Sequence, residues 1–412
     1  MRHPPDSEIL LEEDCPDCQF NARLLRGAGL SPQPRTTRDS LRLVDIFCGA
    51  GGISLGVSIA AARAGRALKI RLAVDSWRPA VDVYKSNFEA DHFRTAPVEE
   101  LFDAELGSRR LTRTERALRD SVGPVDLLVG GPPCQGYSDL NNHSRRQDPR
   151  NRLYARMARA AEVLAPKAIV IENVPAVIHD DEDVVAVTSS ALEGAGYDVA
   201  GRVFDMSVLG LPQTRNRHLL LGVQRGLGRA RTVLDAIAPS CPIHRPKTVR
   251  WAIGDLVELA PKDLFDQPSR SSPENLARIR WLMTHDAFDL PNRLRPSCHW
   301  GDHSYKAMYG RLRWDEPAQT ITTGFGSMGQ GRYVHPSASR TITPHEAARL
   351  QSFPDSFSFA AAPNRGALAQ LIGNAVPPLF ATTVTTSMLA ALFPGSARRN
   401  ARQPGRTSAP HA

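Results

Sequence analysis

From Leu41 onward, short runs of almost unbroken apolar residues alternate with stretches in which apolar positions recur every three or four residues. "LRLVDIFC" reads as a buried strand, a glycine-rich turn follows, and "ISLGVSIAAARAG" reads as a helix. "LKIRLAVD" is a second strand, with a helical stretch over 78–88 behind it. "VDLLVGG", the amphipathic "RLYARMARAAEVLA" and "AIVIEN" repeat the strand–helix–strand order. Such alternation predicts an α/β fold with a doubly wound, Rossmann-like parallel sheet. "YDVAGRVFD" and "RHLLLGV" then follow closely and predict an antiparallel pair at the sheet edge.

The alternation stops near Gln224. Residues 226–365 are irregular and rich in proline and glycine, with short strand-like pieces such as "QTITTGF", and are expected to form a second, smaller domain. "NRGALAQLIGNAVPPLFATTVTTSMLAALF" predicts two helices broken at Pro377 and Pro378 that return to the sheet. The expected partition is an N-terminal extension at 1–40, partly disordered, and a catalytic domain at 41–225. The small domain at 226–365, returning helices at 366–395 and a disordered basic tail at 396–412 complete it.

Composition adds a partner class. The net charge is +8, and four of those charges are the arginines of "ARRNARQPGR", so the rest of the chain carries +4. That balance points to a polyanion. No apolar stretch looks long enough to span a bilayer, no secretory pattern opens the chain, and six cysteines in 412 residues make no disulfide framework. A cytoplasmic protein without a membrane partner is expected. "CPDC" (Cys15, Cys18) and "CPIH" (Cys241, His244) are each half of a zinc pattern, too far apart for a compact module, and Cys298, His299 and His303 offer another set. No metal is expected.

Chemistry-bearing residues gather at predicted strand ends. "DIFCGAGGISLG" places Gly49, Gly51, Gly52 and Gly56 between a strand and a helix, where glycines permit close approach of a ligand. Asp75 closes the second strand, suited to ribose hydroxyls or to a helix cap. In "GGPPCQGYS", Cys134 leaves the strand on a proline-stiffened turn, where a thiolate can act as nucleophile. Glu172 ends the strand "IEN", and Arg215 and Arg217 in "QTRNRH" share one face of a strand.

Together with "RLQSFPDSF" and "IGNAVPP", these motifs stand in an order that resembles the DNA cytosine-5 methyltransferases across about 41–390. The resemblance implies a methyltransferase sheet with a target-recognition domain, and methyl transfer from S-adenosylmethionine to a flipped cytosine in double-stranded DNA. It implies Cys134 as nucleophile, Glu172 as the acid holding the base, and Arg217, with Arg215 behind it, as organisers of the base site. It assigns Phe47, Gly49, Gly51, Gly52, Asp75, Pro133 and Asn374 to the cofactor. Gln135, Ser138, Arg145, Arg146 and Thr320 fall on the DNA side. Two positions depart from the pattern. Ser76 rather than an aromatic follows the ribose acid, with Trp77 one later, and Glu99 stands in for the usual adenine-binding Asp.

The resemblance further implies a monomer in a restriction-modification or phage-defence setting, with a cognate endonuclease or defence-system proteins as partners. A tRNA cytosine-5 methyltransferase and a non-catalytic DNA-binding relative are the alternatives. The large variable segment favours DNA over tRNA, and intact Cys134, Glu172 and Arg217 argue against the non-catalytic relative.

Overall fold

The computed structural model describes residues 16–28, 40–133, 152–179, 183–238, 246–297, 300 and 307–393. The first half of the chain supplies α1 (Pro16–Leu25), β1 (Leu41–Ile46), α2 (Gly52–Arg63), β2 (Leu68–Asp75) and α3 (Arg78–Asn87). Then come β3 (Phe93–Thr95), α4 (Val98–Leu101), α5 (Arg113–Val122), β4 (Leu127–Gly130), α6 (Arg152–Leu164) and β5 (Ala168–Asn173). After α7 (Val184–Gly194) the chain forms β6 (Tyr197–Asp205), β7 (Gln213–Thr214) and β8 (Asn216–Gln224). The remainder holds α8 (Ala230–Asp235), α9 (Val249–Ile253), α10 (Pro273–Thr284), β9 (Ala318–Gln319), α11 (Pro344–Leu350), α12 (Arg365–Gly373) and α13 (Pro378–Leu392).

Among the described residues the main sheet runs β3-β2-β1-β4-β5-β8-β6. The first five strands are parallel, and β8 is antiparallel to both β5 and β6. The predicted antiparallel pair therefore forms, with β6 at the edge and β8 one strand inside. Strand order reverses between β1 and β4, which opens a crevice beyond their carboxyl ends.

Alternate residues of the central strands feed two cores, as period-2 side-chain geometry requires. Leu43, Val129, Val170 and Leu221 pack with α2, α8 and α13 on one face. Val44, Leu128, Ile169 and Leu220 pack with α5, α6 and α7 on the other. Glycines let α2 and α13 meet almost backbone to backbone. A Cβ at Gly52 would lie 2.2 Å from the Val376 carbonyl oxygen, and one at Gly56 2.5 Å from that of Pro378.

The segment after residue 226 packs in two ways. Ala230, Val233 and Leu234 of α8 join the sheet face with α13. Val249, Trp251 and Ile253 of α9 share a core with Leu55 and Ile59 of α2 and with Phe353. Among the described residues, a separate cluster forms around Ile279, Leu282, Leu290, Tyr309, Met328 and Val334. The irregular sequence hid this because its apolar residues come from turns and short helices with no sustained period. Against the expectation that no apolar stretch is long enough to span a bilayer, residues 365–392 are apolar and long enough to cross a membrane by composition, yet 72% of their 18-residue apolar window is buried inside the fold. The stretch breaks at Pro377 and Pro378: α13 packs on the sheet, while α12 packs with α9 and α11.

Candidate active site

The crevice at the β1/β4 reversal is a cleft of about 400 Å³. Its floor is the turn after β1, where the chain leaves the sheet through Phe47, Gly49 and Gly51, all with φ between +52° and +99°. That left-handed region suits glycine and strains phenylalanine, so the turn is held by what surrounds it. Phe47, Gly49 and Gly52 line the cleft. A Cβ at Gly49 would meet nothing within 4 Å, whereas one at Gly51 would strike Phe88 and Tyr84. Gly51 does not line the cleft and serves the packing of the turn.

Beneath the turn, Asp45 is fully buried and accepts from Ser54 Oγ at 2.6 Å. Burial pushes its carboxyl up to about 7. Asp75, at the end of β2, takes the Gly49 N–H at 3.0 Å on Oδ2 and the Trp77 N–H at 2.8 Å on Oδ1. Its pKa is raised by burial, which those two N–H donors partly offset. The carboxylate thus fixes the glycine turn and still faces the cleft. Trp77 lines the cleft too, so the aromatic displaced by one position in the sequence reaches the same space. Glu99 and Asn374 complete this half.

The other half is acidic and basic at once. Glu172 ends β5, where Leu219 of β8 pairs with it, and Arg217 lies two residues earlier on β8. Arg217 Nε stands 2.8 Å from Glu172 Oε1, with both side chains largely buried. Neighbouring Asn173 donates to the Pro132 carbonyl at 3.3 Å and accepts from Val174 N–H at 2.8 Å, tying the end of β4 to the end of β5. Pro132 and Pro133 line the cleft beside Glu172, and Cys134 comes next in the chain. Arg215 is 3% exposed, and its guanidinium donates to the carbonyls of Ile321 (3.0 Å) and Ala375 (3.3 Å). It too borders the cleft.

One cleft therefore gathers Phe47, Gly49, Gly52, Asp75, Pro133, Glu172, Arg215, Arg217 and Asn374. Thr320 is elsewhere. Its hydroxyl donates to the Thr214 carbonyl at 2.7 Å and its carbonyl accepts from Tyr333 at 2.9 Å, bracing the short β7–β9 pair. Cys134, Gln135, Ser138, Arg145 and Arg146 lie outside the described residues, as do Cys15, Cys241, His244, Cys298, His299 and His303. Among the described residues no three metal-ligating side chains converge, and Cys18 is buried on α1. Sequence reasoning missed Asn173, Gln370 and Ala375. Asn173 had a signal, since it follows Glu172 in "ENV".

Residues 41–390 match the family described as C-5 cytosine-specific DNA methylase. The chain is 42% identical over 347 residues to the type II methyltransferase M1.BsuMI of Bacillus subtilis, covering 84% of this chain and 80% of that one. It is 31% identical to the type II methyltransferase M1.HphI of Haemophilus parahaemolyticus, over 85% and 87% of the two chains. A DNA modification methyltransferase structure encoded within an E. coli prophage superposes with a TM-score of 0.59 at 24% identity, covering 85% of this chain and 99% of that one.

Proposed function

The chain belongs to the C-5 cytosine-specific DNA methylase family, is a DNA cytosine methyltransferase, and on that premise we propose how its cleft divides the work. Carbon 5 of cytosine is too electron-poor to accept a methyl group directly. Addition of the Cys134 thiolate to carbon 6 makes carbon 5 nucleophilic. Glu172 holds ring nitrogen 3 and the exocyclic amine, and its hydrogen bond at nitrogen 3 offsets the electron density the addition pushes into the ring. Arg217 turns its guanidinium to the ring oxygen while remaining paired with Glu172. Once carbon 5 carries the methyl group, a water-mediated base removes the carbon 5 proton, the C–H electron pair re-forms the ring's 5,6 double bond, and the carbon–sulfur bond breaks to release the Cys134 thiolate.

The cofactor half fits S-adenosylmethionine. Gly49 leaves open space where any side chain would intrude. Asp75 offers buried carboxylate oxygens for ribose hydroxyls, Phe47 and Trp77 flat faces for adenine, Glu99 an acceptor for its amine, and Asn374 a contact at the methionine end. Bound there, the cofactor supplies an electrophilic methyl group. The target base must leave the duplex to reach this cleft. Gln135, Ser138, Arg145 and Arg146 are assigned to the DNA, and Thr320 to bracing β7, the short strand that leads to Arg215 and Arg217. The setting is type II modification in the cytoplasm, as a monomer, with a cognate endonuclease as the expected companion.

The Glu172–Arg217 ion pair facing Asp75 across one cleft carries this reading. Tritiated methyl transfer to duplex DNA and to tRNA tests it. Label is expected on DNA alone. Glu172→Gln is expected to lose at least a hundredfold in kcat with its melting temperature unchanged, the scale of general acid catalysis. Label confined to tRNA, or an active Glu172→Gln, would contradict the assignment.

A further inference from the structure

Two glutamines that do not line the cleft sit behind it, both 0% exposed. Gln213 of β7 donates through Nε2 to the Leu350 carbonyl (2.8 Å) and to Gln351 Oε1 (2.7 Å), and its own Oε1 accepts from Ile321 N–H (3.1 Å). Gln351, just after α11, donates to the carbonyls of Ile372 (2.7 Å) and Ala375 (3.4 Å). The pair thus binds four pieces of chain: the strand leading to Arg215 and Arg217, the 318–323 segment, the end of α11, and the 372–376 loop that bears Asn374.

The backbone is fitted to this junction. A Cβ at Gly373 would lie 2.3 Å from the Thr323 nitrogen, so only glycine lets the 372–376 loop touch the 318–323 segment. At its far side the same loop presses its Val376 carbonyl on Gly52 of the cofactor turn. Arg215 repeats the link, holding Ile321 with one nitrogen and Ala375 with the other. A shift of the 372–376 loop therefore moves both the cofactor turn and Arg215, from which the chain enters β8 and Arg217. Buried, mutually satisfied amides resist small displacements because each partner is costly to leave unpaired.

We propose that Gln213 and Gln351 are positioning residues that couple cofactor occupancy to binding of the target DNA. The proposal rests on the reading of the cleft given above. Cofactor seated against Asn374 and Gly52 fixes the 372–376 loop, and the glutamine pair passes that restraint to β7. By linkage, DNA tightens the cofactor by the same factor.

Equilibrium binding measures this directly in the full chain, with S-adenosylhomocysteine and a duplex bearing the modified site as probes, each titrated with and without the other. The wild type is expected to bind DNA about tenfold more tightly with S-adenosylhomocysteine present, within the usual range for coupled sites. Gln351→Met keeps the side-chain volume and removes the amide. It is expected to bring that factor below about twofold while each ligand alone binds within about threefold of wild type. Gln213→Met breaks the link from the other side and should give the same result. A coupling factor retained in either folded variant, or failure of both variants to fold, would overturn the proposal and assign the pair to stability. Independent binding of both ligands by the wild type would sink the coupling alone. Failure of the wild type to bind one of them would sink the reading of the cleft as well.

Discussion

Gly49 and Gly52 stand three residues apart in one turn and are glycine for opposite reasons. Gly49 has φ of +52° and open space beside it, while the Gly52 position is filled by the Val376 carbonyl 2.2 Å from where a Cβ would be. Gly52→Ala must push α13 and the 372–376 loop away, an overpacking cost of about 1–3 kcal/mol. It is expected to lower the melting temperature by several degrees and raise KM for S-adenosylmethionine. Gly49→Ala costs about 1–2 kcal/mol of left-handed strain and intrudes on the cofactor, so its KM should rise more than its stability falls. Thermal melts beside steady-state kinetics separate the two. Equal effects of both substitutions on KM and melting temperature would contradict the distinction. The sequence showed that glycines were needed here, but a neighbour 324 residues away could not be read from their spacing.

At the level of elements, the first turn of α11 is fastened to the 263–266 loop by one imidazole. His345 meets Asp266 at 2.8 Å through Nδ1 and Asp355 at 2.9 Å through Nε2, and stacks on Phe265 at 4.9 Å. Arg349 Nη2 donates to the same Asp355 at 2.6 Å. Burial alone would lower the His345 pKa, but the two carboxylates outweigh it and the net shift is upward. A group whose folded pKa is raised stabilises fully below its unfolded value, about 6.5, and loses that contribution as pH rises through the folded one. The urea midpoint is therefore expected to fall as pH rises above about 6.5 in the wild type, more steeply than in His345→Gln. Parallel pH profiles for the two would contradict the assignment. Nothing in the sequence pairs His345 with Asp266, because their meeting depends on an irregular loop. The strands were legible for the contrary reason. "LKIRLAVD" and "AIVIEN" are β2 and β5 to the residue; β5 is buried throughout and writes itself as an apolar run, whereas β2 keeps Lys69 and Arg71 on its less buried first half.

Over the whole molecule, the alternating half of the sequence predicted the sheet, and the order reversal then put the ends of β1, β4 and β5 around one cleft. The residues expected at strand ends meet there: Phe47, Asp75, Pro133, Glu172. The irregular half was read less well. The cores that run from α8 and α9 into α2 and α13 were not foreseen, because long-range packing of short helices leaves no period to detect. α1 was hidden for the same reason. It buries Cys18, Ala22, Leu24 and Leu25 in a segment expected to be a partly disordered extension, and Arg26 just beyond it pairs with Asp255 at 3.3 Å. The resemblance carried residue roles that periodicity could not, above all that of Cys134.

The central claim is that this protein methylates carbon 5 of cytosine in duplex DNA, with Cys134 as the attacking thiolate. Bisulfite sequencing of DNA from cells expressing the wild type or Cys134→Ala tests it most directly. Wild-type cells should show protected cytosines at one recurring sequence context, and cells expressing the variant should show none there. Protection that persists in the variant would remove Cys134 from the chemistry, and wild-type DNA without a protected context would contradict the account.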